Sequence, residues 1–197
     1  MTDYFALLDE PRRPWLDAEV LKAKFLARST EVHPDRVHQA SDADRLAANQ
    51  RYTEINAAYN CLREPRSRLR HLLELELGTK PSDLTDVPND LMELFFSVGK
   101  ALREADAVVA EKARATSPLL QVQMFEQAQA EVEKLNAIRE KISARREVLL
   151  RELQELDSNW KVGDTQAVNS LLRFWRLLSF YDRWLAQIQE RTVQLSF

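Results

Sequence analysis

The 197-residue chain has three glycines, Gly78, Gly99 and Gly163, where average composition near 7% would supply roughly fourteen. That deficit excludes architectures needing many residues at positive φ: glycine-rich phosphate loops, dinucleotide fingerprints, tight-turned meanders and most sandwiches or barrels. Cysteine is nearly absent too. Cys61 is alone, so no internal disulfide framework and no cysteine-based zinc or iron–sulfur site can form within one chain, which suits a reducing compartment. No uncharged stretch approaches the length of a membrane span, and the opening MTDYFALLDE has no basic segment followed by a long apolar run, so a cytoplasmic chain is expected. An excess of one charge sign is also missing. The first 80 residues hold 13 basic and 13 acidic side chains and the rest 15 and 18, so neither half carries a polybasic footprint for nucleic acid or an acidic tail.

What the chain does have is helical periodicity, with 45% apolar and 30% charged residues. After Asp17, a suitable N-cap, Leu21, Phe25 and Val32 recur at helical spacing; after Ser41 and Asp42, Ala48, Tyr52, Ile55, Tyr59 and Leu62 step by four and three. Two antiparallel amphipathic helices follow from that pattern. Gly78 is the expected C-cap of this first domain, 1–78. Residues 79–89, with Pro81 and Pro88, form a linker. From Asn89 or Asp90 a helix carries Leu91, Leu94, Phe95, Val98 and Leu102. Ser117-Pro118 then opens a run to Asp157 without glycine or proline, which spans about 60 Å at 1.5 Å per residue. Beyond Gly163 a last apolar-faced helix completes a three-helix antiparallel bundle over 90–197. The fold class is therefore all-α, an N-terminal helical hairpin followed by a bundle.

The chemistry-bearing segment is His33-Pro34-Asp35, followed by Arg36, between the two helices of the hairpin. Proline stops the helix, which presents the imidazole and carboxylate at a solvent-facing corner, where a carboxylate can accept an arginine fork from a partner. Asp3-Tyr4-Phe5 and Leu7-Leu8 precede the tripeptide. Ile55-Asn56-Ala57-Ala58-Tyr59 and Leu62-Arg63-x-Pro65-x-x-Arg68-x-x-x-Leu72-Leu73 follow it.

This constellation, over roughly residues 3–77, resembles the J-domain of DnaJ-type co-chaperones, and its third-helix pattern looks more like the HscB branch than DnaJ itself. Leu91-Met92-Glu93 and Leu172-Arg173-Phe174 look like HscB patterns at comparable places. The resemblance implies no catalytic residue and no cofactor in this chain. It implies instead that His33, Pro34 and Asp35 trigger ATP hydrolysis in a DnaK- or HscA-type partner, with Lys22, Lys24, Arg28 and Arg36 as candidates for the basic face that steers encounter. Leu26 and Ala27 stand where that face is basic in DnaJ. The bundle of HscB-like proteins binds an IscU-type iron–sulfur scaffold through apolar and acidic residues. Here Leu91, Met92, Phe95, Phe96 and Phe174 are the client-binding candidates, and Phe96, Gly99 and Arg103 replace the acidic positions.

Rival readings are a J-protein for a different client and a helical adaptor without chaperone activity. A His33, Asp35 and His38 metal or acid–base cluster has loose spacing and no helix to set its geometry. The arginines at 63, 66, 68 and 70 are interleaved with Glu64, Glu74 and Glu76, a solvated helix face more than a nucleic-acid site. His71 is read as a surface or core-edge residue, and Cys61 as a buried structural thiol.

Overall fold

The computed structural model describes residues 2–33, 41–82 and 87–196. Among the described residues every regular element is a helix: α1 (Tyr4–Leu7), α2 (Ala18–Glu31), α3 (Asp42–Arg63), α4 (Pro65–Leu77), a 3₁₀ turn (Asn89–Leu91), α5 (Met92–Lys112), α6 (Pro118–Asp157) and α7 (Thr165–Ser196). The all-α expectation is met. None of these helices is long and apolar enough to cross a membrane.

Local chemistry sets the boundaries. Asp3 accepts from the Phe5 and Ala6 amides, and Asp17 from those of Glu19 and Val20, so each short polar side chain satisfies first-turn donors that have no intrahelical partner. Ser41 does the same for Asp44 at the start of α3. Pro65 occupies the first turn of α4, and Gly78 closes that helix at φ 69°, a left-handed cap that costs glycine no steric clash. Gly163 (φ 79°) turns the chain between α6 and α7.

The chain divides into two compact units, one of Met1–Ser82 with Glu152–Trp175, the other of Asp83–Arg151 with Arg176–Phe197. Contacts thus do not follow the chain-order division at 78 and 90 throughout, because the α6–α7 turn region joins the first unit. Polar links join it there. Asp157, 7% exposed, accepts from Arg13 Nε at 3.0 Å, is ion-paired with Arg13 Nη2, and accepts from the Trp15 amide at 3.0 Å. Trp160 Nε1 donates to the Arg12 carbonyl and the Gly163 amide to Glu76. Phe5, Leu8, Leu21, Leu62, Leu69, Leu72 and Leu73 fill the first core, each contributing about 1.5–3 kcal/mol of apolar burial.

His71 and Arg68 of α4 belong to that interior. Of the two readings of His71, surface or core-edge, its 5% exposure favours the second. Its Nε2 accepts the Tyr4 amide at 3.1 Å, and its ring stacks near Tyr4 and Phe5. Arg68 is 3% exposed and donates to the Pro14 and Leu62 carbonyls at 2.8 and 2.7 Å. Burial pulls its pKa down to about 10, opposed by the charge of Asp157.

In the second unit α5 and α7 run parallel, since Phe95, Asp106 and Lys112 meet Trp184, Arg191 and the Leu195 carbonyl in order. α6 returns antiparallel, tied to α7 by an Arg146–Asp182 ion pair of 2.8 Å. Leu94, Val98, Ala101 and Ala105 of α5, with Leu135, Ile142 and Leu149 of α6, are buried at helical spacing.

Candidate functional site

α2 and α3 pack through a Phe25–Tyr59 stack with ring centroids 4.2 Å apart. Beyond it the pair buries little: on α3, Ile55 is buried while Ala48 and Tyr52 are only half-buried. His33, the residue after the cap of α2, is half-buried. Its imidazole meets Tyr52 edge-on at 5.4 Å, so the α3 stripe that sequence periodicity assigned to the core serves at this end to seat the histidine. Glu31, Val32, Asp44 and Arg51 line a cleft with it. Pro34, Asp35 and Arg36 lie outside the described residues, as does His38. Among the described residues no group of three or more His, Cys, Asp or Glu is arranged to hold a metal ion.

The basic candidates of α2 differ in state. Lys22 is exposed. Lys24 donates to the Asp9 carbonyl at 2.6 Å and lies 2.9 Å from Glu10 Oε1. Arg28 is ion-paired with Asp9 and, at 3.3 Å, with Glu31. The Asp9 carboxylate, followed by Glu31, holds the Arg28 pKa above its ordinary value. Arg28 is thus anchored by the carboxylate that follows α1. That partner has no sequence signal, because Asp9 is 19 residues away and belongs to no helical period.

The client-binding candidates separate as well. Leu91 was grouped with Met92 and Phe95 by helical spacing, but it ends the 3₁₀ turn before α5 and is 1% exposed, a core residue instead of a presented one. Met92, Phe95 and Phe96 stay outside, 36%, 40% and 63% exposed. Phe95 sits edge-on to Phe96 at 5.7 Å and touches Trp184 at 6.5 Å, so α7 braces the ring from behind. One turn on, the Arg103 guanidinium lies over Gly99, 3.5 Å from where a Cβ would stand. Phe174 is half-buried and belongs to the first unit.

Over 111 residues, 54% of this chain, the sequence is 37% identical to a co-chaperone protein HscB homolog of Chromobacterium violaceum, covering 63% of that protein. The chain therefore spans under two thirds of that curated relative's length in the matched stretch. The fold superposes on chaperone HscB from Vibrio cholerae with a TM-score of 0.64 at 23% identity, covering 98% of this chain and 99% of that one. By sequence and by fold the chain is HscB-like. Human co-chaperone protein HscB superposes with a TM-score of 0.70 at 18% identity, over 98% of this chain and 83% of that one. No family model matches the chain. In this HscB-like frame the J-domain pattern read from residues 3–77 occupies the first unit, and the exposed Met92-Phe95-Phe96 surface occupies the second.

Proposed function

We propose that the chain is a cytoplasmic J-domain co-chaperone that stimulates ATP hydrolysis by a DnaK- or HscA-type chaperone and delivers to it a client held on α5, an IscU-type iron–sulfur scaffold. The observation that carries this reading is the tripeptide His33-Pro34-Asp35 in the sequence between α2 and α3, in a fold similar to HscB over nearly the whole chain. In this reading the chain supplies no catalytic group. His33, Pro34 and Asp35 act on the partner's nucleotide domain, Lys22, Lys24, Arg28 and Arg36 set the approach, and Met92, Phe95 and Phe96 offer apolar surface to the client. The first test is steady-state ATP hydrolysis by the cognate chaperone with wild type and with His33→Gln. Stimulation by wild type and its loss in the variant support the reading; no stimulation, or equal stimulation, overturns it.

A second reading, the same co-chaperone activity with a different client, is favoured by Phe96, Gly99 and Arg103 at positions where the HscB resemblance implies acidic residues. That rim is apolar and basic, complementary to an acidic partner surface. Titrating an IscU-type scaffold against wild type and Phe95→Ala/Phe96→Ala separates the two. Binding that weakens in the variant supports the scaffold; absence of binding to wild type leaves the other client.

A further inference from the structure

Lys24 and Arg28 of α2 are already occupied within the chain, and the residue they share is unusual. Asp9 has φ 52° and is the one positive-φ non-glycine among the described residues. It follows α1 as the left-handed residue of a helix-ending motif: the Asp9 amide donates to the Ala6 carbonyl and the Glu10 amide to that of Phe5. Glycine takes this conformation without steric cost, whereas a side chain does not. The conformation aims two acceptors of Asp9 at α2. Its carbonyl takes Lys24 Nζ at 2.6 Å, and its carboxylate is ion-paired with Arg28. Glu10, with its side chain 8% exposed, adds a 2.9 Å pair to Lys24, and Glu31 adds one to Arg28. On this face Lys24 and Arg28 stand against the carboxylates of Asp9, Glu10 and Glu31.

We propose that Asp9 is an intramolecular occupant of the α2 cation face, holding Arg28 and Lys24 where the carboxylates of an acidic partner surface would bind, so that docking proceeds by exchange of one set of carboxylates for the other. The inference deepens the proposed function and rests on it for the identity of the partner. Exchange has a kinetic signature. A face whose charges are internally balanced steers weakly and depends little on salt, and removing one internal carboxylate raises both the association rate and its salt dependence. The Asp9 carboxylate is 65% exposed, so an incoming carboxylate reaches Arg28 without opening the core.

Asp9→Asn tests this, because asparagine tolerates the left-handed region and keeps the carbonyl contact to Lys24 while losing the charge. Asp9→Gly removes the side chain as well and guards against a folding artefact, since glycine suits this φ. Two probes are used with the full chain: the cognate DnaK-type chaperone, by association kinetics across a salt series, and hexaglutamate peptide, by NMR shifts of Lys22, Lys24 and Arg28. Both variants are expected to associate with the chaperone roughly two- to fivefold faster at low salt, with a steeper fall as salt rises, and to bind hexaglutamate more tightly than wild type. Equal salt slopes and equal peptide affinities in wild type and variants overturn the proposal, as does failure of the peptide to bind any of them. A chaperone that binds none of the proteins, together with a peptide that prefers the variants, overturns the proposed function and leaves the role of Asp9 standing.

Discussion

Lowering the pH should loosen the first unit through His71. The first-turn donors of α1 are individually accounted for: the Phe5 and Ala6 amides go to the Asp3 side chain, the Leu7 amide to the Asp3 carbonyl, and the Tyr4 amide to His71 Nε2 at 3.1 Å. A backbone N–H only donates, so folded His71 is neutral with Nε2 unprotonated. Protonation sets donor against donor in a site 5% exposed. Burial lowers the folded pKa from its ordinary 6.5, against Asp3 and Glu74, which favour the charged form, and with Arg12, which opposes it. The unfolded chain therefore binds more protons than the folded one below pH 6.5, so stability is full above that value and is lost as pH falls through it.

The magnitude has a ceiling. One pH unit below the unfolded pKa the linkage is at most about 1.4 kcal/mol, reached if folded His71 stays neutral at pH 5.5. Urea unfolding followed by circular dichroism at pH 7.5 and 5.5, for wild type and His71→Gln, measures it. Glutamine can still accept the Tyr4 amide but does not titrate, so the variant should be less stable at pH 7.5, having lost the stack with Tyr4 and Phe5, and should lose less than wild type on acidification. Equal acid losses in both proteins would refute the assignment of His71 as the responsible group.

Asp157→Ala removes the acceptor that Arg13 and the Trp15 amide share and should cost about 1–3 kcal/mol in urea unfolding, a range that already discounts the partly exposed guanidinium. A change under about 0.3 kcal/mol would mean that water replaces the carboxylate at no cost. Gly99→Ala should stabilise α5 by about 0.5–1 kcal/mol, because the new methyl meets nothing closer than Arg103 Nη1 at 3.5 Å; destabilisation would show that the Arg103 arrangement needs the bare backbone. Cys61, whose thiol is pushed from 9.0 up to about 11 by burial and then by Glu74, should react with a disulfide reagent at pH 8 roughly a hundredfold more slowly than an ordinary thiol. Cys61 is half-buried, a correction to its reading as a buried thiol, and a rate near that of free cysteine would contradict the shift.

The elements that could be read from the sequence are those whose signals are local. Ser117-Pro118 opens α6 and the run to Asp157 stays helical throughout; Gly78 closes α4 in the left-handed conformation; Pro65 separates α3 from α4. Each depends on residues within a turn of the boundary, where capping and proline geometry act. What escaped is long-range or off-period. Asp157 reads as the last residue of a helix, and nothing within four residues of it announces that Arg13, 144 positions away, will hold the α6–α7 turn in the first unit. Leu91 was grouped with Met92 and Phe95, yet it falls in step with the buried Leu94, Val98, Ala101 and Ala105 and faces the core with them.

The same division runs through the candidate sites. A residue's presence was legible, but whether its side chain is available was not, because availability depends on neighbours distant in sequence. Lys24 and Arg28 satisfy a basic pattern on α2, but Asp9, at a backbone conformation more natural to glycine, closes both into internal pairs. On α5 the effect is opposite. The Arg103 guanidinium lies over Gly99, so beside the exposed Phe95 and Phe96 rings stands a cation against the helix surface. The Asp9 carboxylate thus quenches the charge of α2, while Arg103 places a charge beside aromatic surface on α5. An acidic partner would therefore meet an accessible cation first on α5, and on α2 only after displacing Asp9. Swapping the two features, with Asp9→Asn on one face and Arg103→Glu on the other, should redirect binding of an acidic peptide from α5 to α2, with NMR shifts moving from Arg103 and its neighbours to Lys24 and Arg28. Shifts that stay on α5 in the double variant would show that charge availability does not govern which face is used.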